Sequence, residues 1–151
     1  MARRGWDSDT AVLQEAYSTG ALIAAHVNAE LRAGGVDPSL FSFLGWIAVL
    51  EPVTPGDLAA ETGMPPTTIR DYLRRLTERG HIVRTPNPAD GRSYHVALSK
   101  DGRKIVDRGR PLVGAVFRRV EPHLARPAEE YVDRSRELRA ALAAAARPAP
   151  A

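Results

Sequence analysis

Proline and glycine cut the stretch from Thr54 to Leu98 into pieces that leave room only for short, tightly spaced elements. Thr54-Pro55 opens one helix: Thr54 can cap free N–H groups, Pro55 brings a preset φ to the first helical position, and Asp57 suits the positive helix end. Gly63 closes it early, and Pro65-Pro66 opens another, with Pro65 held extended by the proline that follows. This second helix is expected to run to Arg79 and stop at Gly80, a residue suited to a left-handed cap. Two extended runs, about His81 to Thr85 and Ser93 to Leu98, then flank Asn87-Pro88-Ala89-Asp90-Gly91, a turn-rich hairpin tip. Short helix, tight turn, longer helix and two-stranded ribbon make the winged helix-turn-helix order.

Longer helical patterns lie on both sides. From Ser8 to about Arg32 only Gly20 opposes a helix, and Val12, Leu13, Ala16, Tyr17, Ile23, Val27 and Leu31 recur at largely helical spacing before Gly34-Gly35 ends it. A second helix is expected from Pro38 to the stop at Pro52, with Leu40, Phe41, Leu44, Ile47, Ala48 and Leu50 burying it on most sides. Ser99 caps a helix running through Ile105, Leu112, Val116 and Val120, with a kink expected near Pro111. Pro122 and Pro127 bracket a break, and a last helix spans about Ala128 to Ala146.

The expected fold is therefore mainly α with a small β-hairpin wing: a winged helix-turn-helix region (54–98) between N-terminal helices (8–53) and C-terminal helices (99–147) that serve dimerisation and support. Residues 1–7 and 148–151 are expected to be flexible or disordered tails. A chain of 151 residues, 44% apolar, can bury one core without metals or cross-links. With no cysteine, disulfides, thiolate metal sites and cysteine-based peroxide switches are excluded. No signal-peptide core follows the N-terminal arginines, and no apolar run has membrane-spanning length, so a soluble, cytoplasmic protein without a membrane partner is expected.

The charge pattern points to a polyanion. From Pro65 to Leu98, arginines 70, 74, 75, 79, 84 and 92 stand against Asp71, Glu78 and Asp90, so the chain's whole formal excess of +3 fits inside this third. At about 100° per residue, Ile69, Tyr72, Leu73 and Leu76 share one side of the second short helix, while Thr67, Arg70, Asp71, Arg74 and Glu78 face the other. Arginine can fork onto guanine and threonine can touch a thymine methyl or a phosphate, whereas Thr68 and Arg75 on the flanks suit phosphate. Arg84 on the ribbon joins this basic set, and Arg92 at the tip is placed to enter a narrow minor groove, with Asp90 orienting an arginine. Asp71 has two readings: it recognises cytosine, or it pairs within the chain with Arg74 or Arg75.

Nothing suggests catalysis. Paired carboxylates, a nucleophile elbow and a phosphate loop are absent, and His26, His81, His95 and His123 show no i, i+3 or i, i+4 pairing, so neither an enzyme, a metal nor a cofactor is expected.

The chain resembles the multiple-antibiotic-resistance regulator (MarR) family. The likeness rests on Leu58-Ala59 with Gly63, Thr68-Ile69 with Leu76, Gly80-His81-Ile82-Val83-Arg84, Pro88-Ala89-Asp90-Gly91-Arg92, Val96, Leu98-Ser99 and Gly102-Arg103. It implies a sequence-specific double-stranded DNA-binding transcriptional regulator, a ligand-responsive repressor whose N- and C-terminal helices intertwine in a homodimer on a pseudo-palindromic operator. Leu138 and Leu142, with the apolar face of residues 12–31, independently offer surface for a second copy. The resemblance also implies small aromatic or anionic effectors bound between the dimerisation helices and the winged region. His26, Phe43 and Trp46 are the candidates here, although such residues also serve as ordinary core. Gly91, where the family often has a base, and the acids Asp71 and Glu78 keep open an alternative, a winged-helix module that binds protein without DNA.

Overall fold

In the computed structural model, which describes residues 8–145, the chain runs α1 (Ser8–Ala33), α2 (Pro38–Leu50), α3 (Pro55–Thr62), α4 (Pro66–Glu78), β1 (Ile82–Pro86), β2 (Tyr94–Leu98), α5 (Lys100–Val120) and α6 (Ala128–Ala145). A single 3₁₀ turn at Glu121–His123 joins the last two helices. The tails expected at 1–7 and 148–151 lie outside the described residues.

Local chemistry accounts for the boundaries. Asp37 caps α2 by accepting from the Leu40 N–H at 2.7 Å, and Pro38 occupies the first turn, where a missing N–H costs nothing. Thr54 caps α3 through the Asp57 N–H at 3.1 Å, and its hydroxyl donates back to the Asp57 carboxylate at 2.7 Å. Gly63 (φ 68°) and Gly80 (φ 70°) end α3 and α4 in the left-handed region, where a side chain would be strained. β1 starts one residue later than the sequence pattern suggests, because His81 completes the end of α4: its N–H reaches back to the Leu76 carbonyl at 2.9 Å.

The two strands pair antiparallel, Ile82 opposite Leu98 and Pro86 opposite Tyr94. Val53 adds a third rung by exchanging both backbone hydrogen bonds with Val96 (3.1 and 2.8 Å), so the hairpin is anchored to the segment entering α3. Beneath the ribbon lies one core that includes Phe43, Leu44 and Ile47 of α2, Leu58 of α3, Ile69, Leu73 and Leu76 of α4, and Val106 of α5. Helix α2 is covered on most sides, as its composition implies, and leaves one outward stripe at Ser39, Ser42 and Val49, Val49 with 79% of its surface exposed. Ser39 and Ser42 mark that stripe as polar, whereas Val49 reads as buried from its residue type alone.

Helix α5 ties these parts together and continues through Pro111 as one element. A Cβ on Gly102 would overlap the His81 carbonyl oxygen, and one on Gly109 would overlap the Phe41 ring, so the two glycines let α5 lie directly against the hairpin base and α2. Arg119 pairs with Glu30 at 2.6 Å, and Arg108 donates to the Gly34 carbonyl at 3.2 Å, fastening α5 to α1. No single helix among the described residues is long and apolar enough to cross a membrane.

Candidate nucleic-acid interface

Helix α4 is strongly two-sided. Ile69 and Leu73 are fully buried and Leu76 nearly so, while Tyr72 stacks on Phe43 of α2 with ring centroids 4.6 Å apart and planes 10° apart. That stack adds to area burial and fixes the rotation of α4 about its axis. Thr67, Arg70, Asp71, Arg74, Arg75 and Glu78 are all exposed, and Thr68 is half-buried on the flank. The inward and outward sets are those the spacing implies.

The basic residues are not equivalent. Arg74 is held between two carboxylates: its Nη1 donates to Glu78 Oε1 at 3.2 Å and its Nη2 lies 3.6 Å from Asp71 Oδ1. Its guanidinium is pushed above its ordinary pKa, first by the Glu78 hydrogen bond and charge and then by Asp71. Of the two readings of Asp71, the internal pair with Arg74 is the one present in the free chain. Arg70 and Arg75 form no ion pair among the described residues, so their charges face solvent.

The hairpin tip is built by side chains that replace missing backbone partners. Asn87 Oδ1 accepts from the Ala89 N–H and Asp90 Oδ1 from the Arg92 N–H, both at 3.0 Å, and the Ser93 N–H donates to the Asp90 carbonyl at 2.9 Å. Asp90 thus fixes Arg92 through its backbone and leaves the exposed guanidinium without an ion pair among the described residues. Arg84 lies over the Tyr94 ring, 4.7 Å from its centroid, a cation–π contact across the two strands.

Below the tip, polar contacts join α2, the ribbon and α5. Glu51 accepts from the Leu98 N–H and from Arg103, while the Ser99 hydroxyl donates to the Gly80 carbonyl at 2.6 Å and accepts from the Gly102 N–H at 3.1 Å. Arg103 and Gly102 carry part of the resemblance noted above, but nothing in the local pattern around Glu51 marks it as the partner of Arg103.

The three candidate effector residues are not gathered in one place. Phe43 lines a cleft of about 300 Å³ at the meeting of α1, α2 and α4, with Asn28, Arg32, Ser39, Ser42 and Tyr72. His26 is exposed on α1, and Trp46 is half-buried under the Arg139 guanidinium, 5.5 Å from the ring centroid; neither lines that cleft. Asn28 and Arg32, one helical turn apart on α1, are the polar handles that a search for histidine and aromatics passes over. A larger, mostly apolar trough of about 670 Å³ runs between α1 and α6, lined by Val12, Ala16, Ile23, Leu138 and Leu142 among others. No group of three or more metal-ligating side chains occurs among the described residues.

Residues 35–93, which span α2 through the hairpin tip, match the model of the MarR family. The HTH-type transcriptional repressor Rv2887 of Mycobacterium tuberculosis is 26% identical over 121 residues, covering 80% of this chain and 87% of the repressor. Over these residues the chain is similar to the MarR family. Among solved structures, CouR of Rhodococcus jostii bound to p-coumaroyl-CoA is 27% identical, with a TM-score of 0.66 over 91% of this chain and 92% of CouR. The M. tuberculosis regulator MOSR, solved in complex with DNA, shares the fold of this chain at a TM-score of 0.68 and 22% identity, over 89% and 98% of the two chains.

Proposed function

We propose that this chain is a transcriptional regulator, a cytoplasmic homodimer that represses transcription by binding a pseudo-palindromic operator. Region 54–98 docks on DNA, and the helices of 8–53 and 99–147 join the two copies. The observation that carries this reading is the two-sidedness of α4: its aliphatic face is fully packed, while Thr67, Arg70, Arg74 and Arg75 project from the rest of the chain. Arg70 and Arg74 read base edges in the major groove, Thr67 meets a thymine methyl or a phosphate, Thr68 and Arg75 hold phosphates, and Arg84 and Arg92 follow the backbone into the adjacent minor groove. Asp90 serves by holding the tip in shape.

Exposed apolar surface supports the dimer. Val12 (56%), Ile23 (58%) and Leu142 (50%) border the trough between α1 and α6, an arrangement that a second copy would cover. Control by a small aromatic anion is supported by the cleft at Phe43, where the Arg32 guanidinium can meet a carboxylate and the half-buried Tyr72 ring, backed by Phe43, offers apolar surface. Tyr72 belongs to α4, so an occupant there favours some positions of that helix over others and shifts the population that fits DNA. That CouR was solved with an aromatic thioester ligand agrees with this class of effector.

A gel shift with DNA from upstream of the protein's own gene, repeated across salt concentrations, tests the proposal. Affinity should fall steeply as salt rises, because phosphate contacts release counterions. Binding that ignores salt, or no retarded band at all, overturns it.

A further inference from the structure

The central arginine of α4 lies between two acids on the face that a DNA-binding helix must present. Asp71, Arg74 and Glu78 are all solvent-exposed, their side chains about 60% accessible, so the arrangement does little for stability. It has two other physical consequences. The carboxylates engage opposite terminal nitrogens of Arg74, Nη2 at Asp71 and Nη1 at Glu78. Each of these nitrogens carries two hydrogens, so one remains on each for a base, and the guanidinium enters the groove with less rotamer freedom to lose. The three side chains together also carry a net negative charge. They are repelled by phosphate and by the acceptor-rich edges of most bases, and find a match only where guanine accepts from Arg74 beside a cytosine N4 amino group that donates to a carboxylate.

Resting on the DNA-binding reading above, we propose that Asp71 and Glu78 are specificity-determining residues: they position Arg74 and penalise unmatched duplexes, giving up non-specific affinity to gain discrimination. Arg70, Arg75 and Arg92, free of ion pairs among the described residues, supply the general attraction to phosphate that the acids withhold.

The test uses the full-length chain in three steps. Wild type is first used to select duplexes from a random-sequence library, and its affinity for the selected duplex is compared with that for a scrambled duplex of equal length. Asp71→Asn and Glu78→Gln are then measured on the same two duplexes, beside Asp133→Asn, which removes one negative charge from the exposed surface of α6. Each α4 substitution should raise affinity for the scrambled duplex by roughly three- to tenfold while adding less to the selected one, so that the specificity ratio falls. Asp133→Asn should leave the ratio unchanged. The selected sequence should also weaken at the guanine read by Arg74 when the library is re-selected with Asp71→Asn.

Equal effects on both duplexes, an unchanged ratio, or the same response to Asp133→Asn would overturn the role of the acids while leaving DNA binding intact. If wild type enriches no sequence at all, the DNA-binding reading itself fails and takes this inference with it.

Discussion

Arg103 donates to Glu51 at 2.7 Å, and the other oxygen of the same carboxylate accepts from the Leu98 N–H at 2.8 Å. One acid at the end of α2 thus holds both the last residue of the ribbon and the first turn of α5. The two contacts differ in worth. Arg103 is largely exposed, so its ion pair contributes little, whereas Leu98 is buried and its N–H has no water to turn to. Glu51→Ala is therefore expected to cost about 1–3 kcal/mol. Arg103→Ala and Glu51→Gln, which leaves an acceptor for Leu98, should each cost less than about 1 kcal/mol. Urea unfolding at fixed protein concentration reads the difference, and an Arg103→Ala as damaging as Glu51→Ala would show that the ion pair dominates.

The approach of α5 to the hairpin base depends on a missing side chain. Gly102 sits over the His81 carbonyl, which is itself engaged by the Ser99 N–H at 3.0 Å, so the oxygen cannot move aside without breaking that bond. Gly102→Ala should lower stability by about 1–3 kcal/mol through overpacking, despite alanine's better helix propensity. Gly114→Ala on the same helix, where a Cβ meets only the flexible end of Arg118, serves as the control and should be neutral or mildly stabilising. Thermal melts of the two variants separate crowding from propensity.

These contacts mark the boundary of what the amino-acid order makes legible. The caps at Thr54 and Ser99, the stops at Gly63 and Gly80 and the two faces of α4 depend on neighbours a few residues away, so their side-chain types announce them. Glu51 meets Leu98 and Arg103 across 47 and 52 residues of chain, and Val53 joins the ribbon as a lone rung without the alternating pattern of a strand. Such pairings arise from the packed arrangement and leave no periodic trace. The cleft proposed to hold an effector is only partly legible: Phe43 has the aromatic character such sites favour, but Asn28 and Arg32 look like ordinary solvated helix positions until α2 and α4 are set beside them.

Arg92 and Arg70 should fail in different ways. Arg92 extends from a tip fixed by Asp90 and has no base-reading helix beneath it, so Arg92→Ala should weaken binding to every duplex and lower the salt slope by about 1. Arg70 projects from the first half of α4, the end nearest a groove floor, so Arg70→Ala should also relax base preference at one position per half-site, by about 1–3 kcal/mol. Titrations of matched and single-base-changed duplexes at several salt concentrations distinguish them. If both variants shift all duplexes equally, Arg70 contacts phosphate only.

The Asp101 carboxylate lies in the first turn of α5 and accepts from Lys104 at 2.7 Å. Its pKa is lowered, chiefly by that hydrogen bond and the Lys104 charge. A carboxylate whose folded pKa is depressed binds protons less readily than in the unfolded chain. Its stabilisation is therefore fully present above the ordinary carboxylate range and is lost as pH falls through the lowered folded value. Carboxyl-detected NMR titration should place Asp101 below the ordinary carboxylate range, and Lys104→Ala should return it toward that range; an Asp101 that titrates within the ordinary range removes it from any account of acid sensitivity.

Because Val12, Ile23 and Leu142 border one trough yet belong to helices from opposite ends of the chain, a charge placed there tests association without touching α4. Ile23→Asp should leave the core around Leu44, Leu58 and Leu73 intact, since Ile23 is more than half exposed in the single chain. If the trough is the dimer interface, burying an unpaired carboxylate there is costly enough to shift sedimentation toward the monomer at micromolar concentration. The same variant should bind an isolated half-site about as well as wild type but lose the tight retention on a full operator, because the second half-site is then no longer captured at high effective concentration. A variant that sediments as a dimer and keeps full-operator affinity would move the interface elsewhere. One that becomes monomeric with unchanged operator affinity would show that each chain reads DNA alone.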